Sequence, residues 1–175
     1  MAERTPTNST NLDGYGNAIL PWSRPRDLLA DNAGSDRTFF LGTVGPDGRP
    51  HAAGVGAIWF DGDMLIVSGS ATRKGRNMEA RPNCTLSVKL EGMDLILEGD
   101  TARVTDAATL EAAAAVYRGL GWPAQVEGEA FTAPYSAPSA GPPPWNVYRF
   151  TIRTAYGVAG AEPGGATRWD FDAER

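Results

Sequence analysis

Alternation of apolar and polar residues dominates the middle of the chain. Cys84, Leu86, Val88 and Leu90 fall on one side of a two-residue repeat, with Thr85, Ser87 and Lys89 on the other. That is the period of a half-buried β-strand over residues 84–90. The same reasoning predicts strands over residues 38–44, 51–60, 64–68, 93–98 and 100–104. The Asp-Gly pairs at 47–48 and 61–62 sit between the first three segments as tight-turn signals, so these read as an antiparallel meander. Glu91-Gly92 turns the chain between two more. Strand character returns at 145–152, 156–158 and 166–171.

The period changes in three places. Residues 26–33 and 73–80 suit short helices, the second stopped by Pro82, which disfavours helical geometry at Arg81. Asp106 is a good N-cap for a third helix, whose Leu110, Ala114 and Tyr117 share one face and which ends near Gly119 or Gly121. Residues 122–144 hold six prolines and little periodicity, the composition of a long functional loop or a disordered one. At least six strands with two or three inserted helices predict a mainly β domain, most simply a closed or partly closed barrel that removes exposed strand edges. Gly42, Gly54, Gly56 and Gly69 mark either barrel corners or close backbone approach by a ligand. Residues 1–26 form a polar extension in which Leu20-Pro21-Trp22 offers a docking point, and residues 27–175 form one domain.

Composition narrows the function. The net charge is -5, which argues against nucleic acid as the main partner. No apolar run approaches the roughly 18 residues of a membrane span, and the polar N-terminus lacks the apolar core of a secretion signal. A cytoplasmic location is expected, in keeping with a single cysteine that excludes an intrachain disulfide. One Cys and one His leave too few ligands for a zinc site.

Against this acidic background, Arg73, Lys74, Arg76 and Arg81 crowd into SGSATRKGRNMEARPN. A helix start offers free N–H groups and a partial positive charge. Gly69, Ser70 and Ala71 leave room for an anion, Ser70 and Thr72 offer hydroxyls, and Ser68, at the end of the preceding strand, is with Thr72 a further candidate cofactor contact. Arginine adds a bidentate fork for phosphate oxygens. The stretch is either a seat for one small anion, with Asn77 a turn further on, or a solvated helix face with incidental charge. It lacks the usual glycine-rich phosphate fingerprint.

The order of these features resembles a known family. The run RTFFLGTVGPDGRPHAAGVGAIWFDGDMLIVSGSATRKGRNMEARPNCTLSV is similar to the pyridoxamine 5′-phosphate oxidase-like split β-barrel superfamily, with EGDTARVTD and the terminal TRWDF adding to the likeness. The resemblance implies a homodimer that binds FMN or the deazaflavin coenzyme F-420 at the subunit interface. It lies nearest the deazaflavin subgroup, whose RKxRN segment holds the phosphate end of the cofactor. By position this implies cofactor contacts from Lys74 and Asn77, then Arg73 and Arg76. Thr72 stands where some relatives carry Arg. It also places the strand after PDGRP beside the ring, with backbone contacts between Gly54 and Ile58. The tail of F-420 would favour further cations such as Arg81 or Arg49. Pyridoxamine phosphate oxidase proper needs more basic residues near its C-terminus than Arg168 alone. The expected activity is hydride transfer between the bound cofactor and a small organic substrate; the alternative is a non-catalytic protein that binds or stores the cofactor. A single histidine disfavours a heme-binding relative.

Other residues carry two readings each. His51 is a general acid or a strand-start residue beside a turn, and no catalytic partner for it can be named. Cys84 lies on the apolar face and is expected to be buried and inert. Trp145 and Trp169 either pack in the core or, as the resemblance implies for terminal residues, reach the partner's cofactor. Phe131 and Tyr135 either line a substrate pocket or pin the long loop.

Overall fold

The computed structural model describes residues 4–32, 37–136 and 140–172. In chain order the elements are β1 (Asn8–Asn11), α1 (Ser23–Ala30), β2 (Phe39–Val44), β3 (Pro50–Val55), β4 (Ala57–Phe60), β5 (Asp63–Ser68) and α2 (Arg73–Ala80). Then follow β6 (Asn83–Leu90), β7 (Met93–Arg103), α3 (Ala107–Gly119), β8 (Gln125–Glu127), β9 (Ala130–Thr132), β10 (Asn146–Ala159) and β11 (Gly165–Asp170).

All pairings in the main sheet are antiparallel. The path β3-β2-β6-β7-β10 continues through β5 to β4, and β4 follows β3 in the chain after Gly56 alone. That junction brings the two ends of the path together, which is the closure of a split β-barrel. The split lies on β10. One edge pairs with β7 over most of its length, while the other pairs with β5 from Asn146 to Phe150 and with β11 from Thr154 to Ala159. A register shift between Ile152 and Thr154 marks the change of partner. β1 adds to β11 and extends the open flap.

The hydrophobic pattern explains which faces are buried. β6 and β7 alternate strictly, their inward residues Leu86, Val88, Leu95 and Leu97 filling the barrel with Met64, Ile66, Tyr148 and Phe150. β5 is apolar on both faces. Leu65 joins Ile58 and Val147 in a second core beneath α3, where Leu110, Ala113, Ala114 and Tyr117 pack. Asp106 caps α3 as expected, accepting the Thr109 N–H at 2.8 Å.

Several expectations need correction. The three segments from 38 to 68 do not form one meander: β2–β3 and β4–β5 are hairpins at opposite ends of the sheet path. The segments expected at 93–98 and 100–104 are one strand, which runs from Met93 to Arg103 and leaves Val104 outside it. Gly99 does not interrupt β7; it lets the strand cross β10, since a Cβ there would lie 2.2 Å from the Thr151 carbonyl. The two strands expected over 145–158 are likewise one, bulged rather than broken. α1 starts three residues early, because Pro25 fits a first helical turn. It stops at Ala30, and Asn32 then exchanges two side-chain bonds with the backbone of Trp59. The proline-rich segment contains the β8–β9 hairpin, held by a bridge from Phe131 to Trp145.

The N-terminal residues are fastened to the barrel. Leu20 and Trp22 are buried in the main core. Arg4 donates to the Asp63 carboxylate at 2.7 Å, both side chains being nearly buried, and Asp63 also accepts the Ile152 N–H at 3.0 Å.

Candidate functional site

The basic segment folds as the sequence predicts. Thr72 is the N-cap of α2, its Oγ1 accepting the Gly75 N–H at 3.0 Å and donating to the Gly69 carbonyl at 2.8 Å. Ser68 Oγ lies 3.0 Å from the same hydroxyl and is fully buried. Gly75 is required by this turn, because a Cβ would lie 2.5 Å from the Gly69 carbonyl. Ser68 and Thr72 therefore build the helix start.

The cations then separate by the 3.6-residue period. Lys74 and Asn77 face inward and are buried, whereas Arg73 and Arg76 are exposed. Burial lowers the Lys74 pKa from the usual lysine value. Asn77 Nδ2 donates to Thr43 Oγ1 at 2.9 Å and ties the helix to β2. Arg81, just past the helix, donates to the carbonyls of Gly45 and Pro46, the latter at 3.3 Å, and so holds the β2–β3 turn against α2.

Between that turn and the helix lies a cleft of about 500 Å³, lined by Pro46, Asp47, Arg73, Arg76, Asn77 and Ala80. Arg76 also donates to the Ala71 carbonyl, which steadies its guanidinium. Among the described residues, neither Arg73 nor Arg76 forms an ion pair. Two such cations in a concave space suit an anionic group such as a phosphate.

A second hollow, of about 440 Å³, lies on the outer face of the barrel over Gly42, Cys84, Thr85, Glu98, Gly99 and Arg153. Its wall is the β2-β6-β7-β10 surface, where Phe40, Ile96 and Val158 are 54%, 45% and 55% exposed. The two hollows are neighbours in the chain as well: β2 ends in the second, and the turn that follows it lines the first.

The remaining predicted residues are distributed as follows. Gly54 is exposed, opposite Phe40 on the barrel wall, and among the described residues no strand pairs with the other edge of β3. Ile58 turns its side chain into the second core, which leaves only its backbone for any ligand. Trp169 does not reach the cleft: it is fully buried, its indole N–H donates to the Leu20 carbonyl at 3.1 Å, and its ring lies 5.5 Å from that of Trp22. Trp145 is fully buried in the second core, with Phe131 there too, and Tyr135 lies 6.3 Å from the Trp145 ring. These aromatics hold the long segment down. His51 stands opposite Thr43, and its backbone carbonyl accepts from the threonine hydroxyl at 3.4 Å. Cys84 is buried, and burial raises its thiol pKa. Arg49 pairs with Asp47 at 3.6 Å on the solvent side of the turn, and Arg168 pairs with Asp170 at 2.7 Å. Arg49 and Arg81 thus already have local partners. Sequence reasoning missed the opposite wall of the cleft, Pro46 and Asp47. PDGR is visible as a turn, but nothing in the sequence says that it folds over α2.

Among the described residues, no group of three or more His, Cys, Asp or Glu side chains is placed to hold a metal, and no helix is long and apolar enough to cross a membrane.

A split β-barrel with an arginine-lined cleft beside an uncovered sheet face is the class of protein that these features define. Residues 26–159 match the family model described as pyridoxamine 5′-phosphate oxidase, and the chain belongs to that family. No functionally curated protein matches it in sequence. Solved structures share the fold at low identity. A NimC/NimA family protein from Clostridium acetobutylicum is 20% identical, with 82% of this chain and 91% of that one covered and a TM-score of 0.54. The General Stress Protein 26 of Bacillus anthracis is 14% identical, covering 81% and 96%, at 0.52. An F-420 reductase is 18% identical, covering 74% and 94%, at 0.51.

Proposed function

We propose that this chain is a homodimeric oxidoreductase that binds coenzyme F-420, with FMN as the alternative cofactor. The observation that carries the reading is the pair of arginines, Arg73 and Arg76, that form no ion pair among the described residues and lie in a cleft next to an exposed barrel wall. The phosphate end of the cofactor would lie between them. Lys74 and Asn77 support this seat from beneath, and Ser68 and Thr72 fix the helix start that presents it. The backbone from Gly54 to Ile58 would carry the ring edge, the free edge of β3 supplying donors and acceptors. A second subunit would cover Phe40, Ile96 and Val158 and exclude water from the ring. Terminal residues such as Trp169 would then act by shaping the flap that meets the partner. Such a cofactor supplies hydride transfer to or from an organic substrate; the protein supplies binding, orientation and a dry surface.

The test is fluorescence titration of purified protein with F-420 and FMN side by side, followed by Arg73→Ala. Saturable binding that the substitution weakens by about 1.5–3 kcal/mol, the value of a hydrogen bond to a charged group, is expected. Binding of neither cofactor, or unchanged affinity after the substitution, would remove the proposal.

A further inference from the structure

The cleft is not purely basic. Arg73 and Arg76 line one wall and Asp47 lines the other. The turn that carries Asp47 is held in place, since Arg81 grips the carbonyls of Gly45 and Pro46 and Asp47 Oδ1 accepts the Arg49 N–H at 3.2 Å. Its carboxylate is therefore a fixed feature of the site. Arg49 does not cancel it: the pair is 3.6 Å apart with the two side chains 82% and 56% exposed, and water screens such contacts. Nor does Asp47 pair with Arg73 or Arg76, and all three residues line the space that a ligand would fill.

We propose that Asp47 is the charge-selecting residue of this cleft, narrowing the advantage that a dianionic phosphate monoester would otherwise hold over a monoanionic phosphodiester. This rests on the phosphate-seat reading above. The two arginines attract each anionic charge of the ligand, and Asp47 repels it. Every negative charge on the ligand gains less from the arginines because it also meets the carboxylate. A phosphate monoester carries close to two charges above its second pKa of about 6, whereas a diester carries one. The repulsion from Asp47 scales with ligand charge, so its effect on a dianion is twice that on a monoanion in free energy and nil on a neutral molecule.

The experiment uses Asp47→Asn in the full chain, because asparagine keeps the oxygen that accepts the Arg49 N–H. Three probes that share a ring are titrated near pH 8: FMN, its phosphate methyl ester and riboflavin. For a charge partly screened at this distance, we expect FMN to bind about ninefold tighter to the variant, the methyl ester about threefold tighter and riboflavin unchanged. Raising the salt to about 0.5 M should shrink both gains. Equal changes for all three probes, a larger gain for the ester than for FMN, or no FMN binding to the variant overturns the assignment. Arg73→Ala separates the two readings. If it weakens only the two phosphorylated probes while Asp47→Asn changes nothing, the phosphate seat stands and the role of Asp47 falls. If it leaves all three unchanged, both fall.

Discussion

The barrel has two kinds of wall. Where β4, β5 and the first half of β10 meet, the outer face is sealed by α3 and the β8–β9 hairpin, and Ile58, Leu65 and Val147 are as buried as the barrel interior. Where β2, β6, β7 and the second half of β10 meet, nothing among the described residues covers the outer face, and Phe40, Ile96 and Val158 stand exposed. The sealed wall supplies stability within one subunit. The bare wall holds its apolar surface ready for something else, and the arginine cleft opens beside it. Burial and function are thus divided between two sides of one sheet, with β10 belonging to both.

This contrast can be broken experimentally. Phe131→Ala removes a fully buried ring from the sealed wall and should cost about 3–5 kcal/mol in urea unfolding. A loss below about 1 kcal/mol, the centre of the range for ordinary point substitutions, would mean that the hairpin is an ornament rather than a seal. Ile96→Asp on the bare wall should behave oppositely. It should weaken self-association by about 2 kcal/mol or more, roughly thirtyfold, as loss of a central interface residue does. Monomer stability should stay within about 0.5 kcal/mol, as for an exposed site. Light scattering across a dilution series separates the two effects, and a stable monomeric wild type would refute the role given to this wall. Thr72→Ala, between the walls, should cost about 1 kcal/mol of stability through the lost N-cap. Cofactor affinity should fall with it if the helix start orients Arg73.

A pH effect sharpens the picture further. Burial raises the Tyr148 pKa to about 12, and the Glu79 carboxylate that accepts its hydroxyl at 2.9 Å adds to the shift. An unfolded tyrosine ionises near 10. Stability from this residue is therefore complete below about pH 10 and is lost as pH rises towards 12. Tyr148→Phe should flatten that part of the alkaline unfolding curve; an unaltered curve would assign the loss to other groups, Tyr117 first among them.

Much of this architecture can be read from local pattern. The strict alternation in β6 and β7 marks strands with one bare face, and the unbroken MLIV run of β5 marks one with both faces covered. The capping residues Thr72 and Asp106 locate two helix starts. What local pattern does not carry is distance along the chain. The junction at Gly56 resembles the middle of a strand because apolar residues flank it, yet it is where the barrel closes. Gly99 looks like a break because its reason for being glycine lies 52 residues away, at Thr151. The site divides in the same way. Its basic half is contiguous and legible. Its acidic half comes from a hairpin about thirty positions earlier, and Asn77, which the sequence offers as a ligand contact, is already engaged by Thr43.

The buried contact between Arg4 and Asp63 has a practical consequence for handling this protein. Removing the first few residues would strand a carboxylate at the start of β5, with Arg149 at 3.7 Å as its nearest remaining cation. Because Arg149 and the Ile152 N–H still face that carboxylate, the cost falls below about 3–5 kcal/mol, that of a buried ion pair broken from one side. Trimming the polar extension at its front end would therefore loosen the seam where β5 and β10 part, far along the chain from the cut.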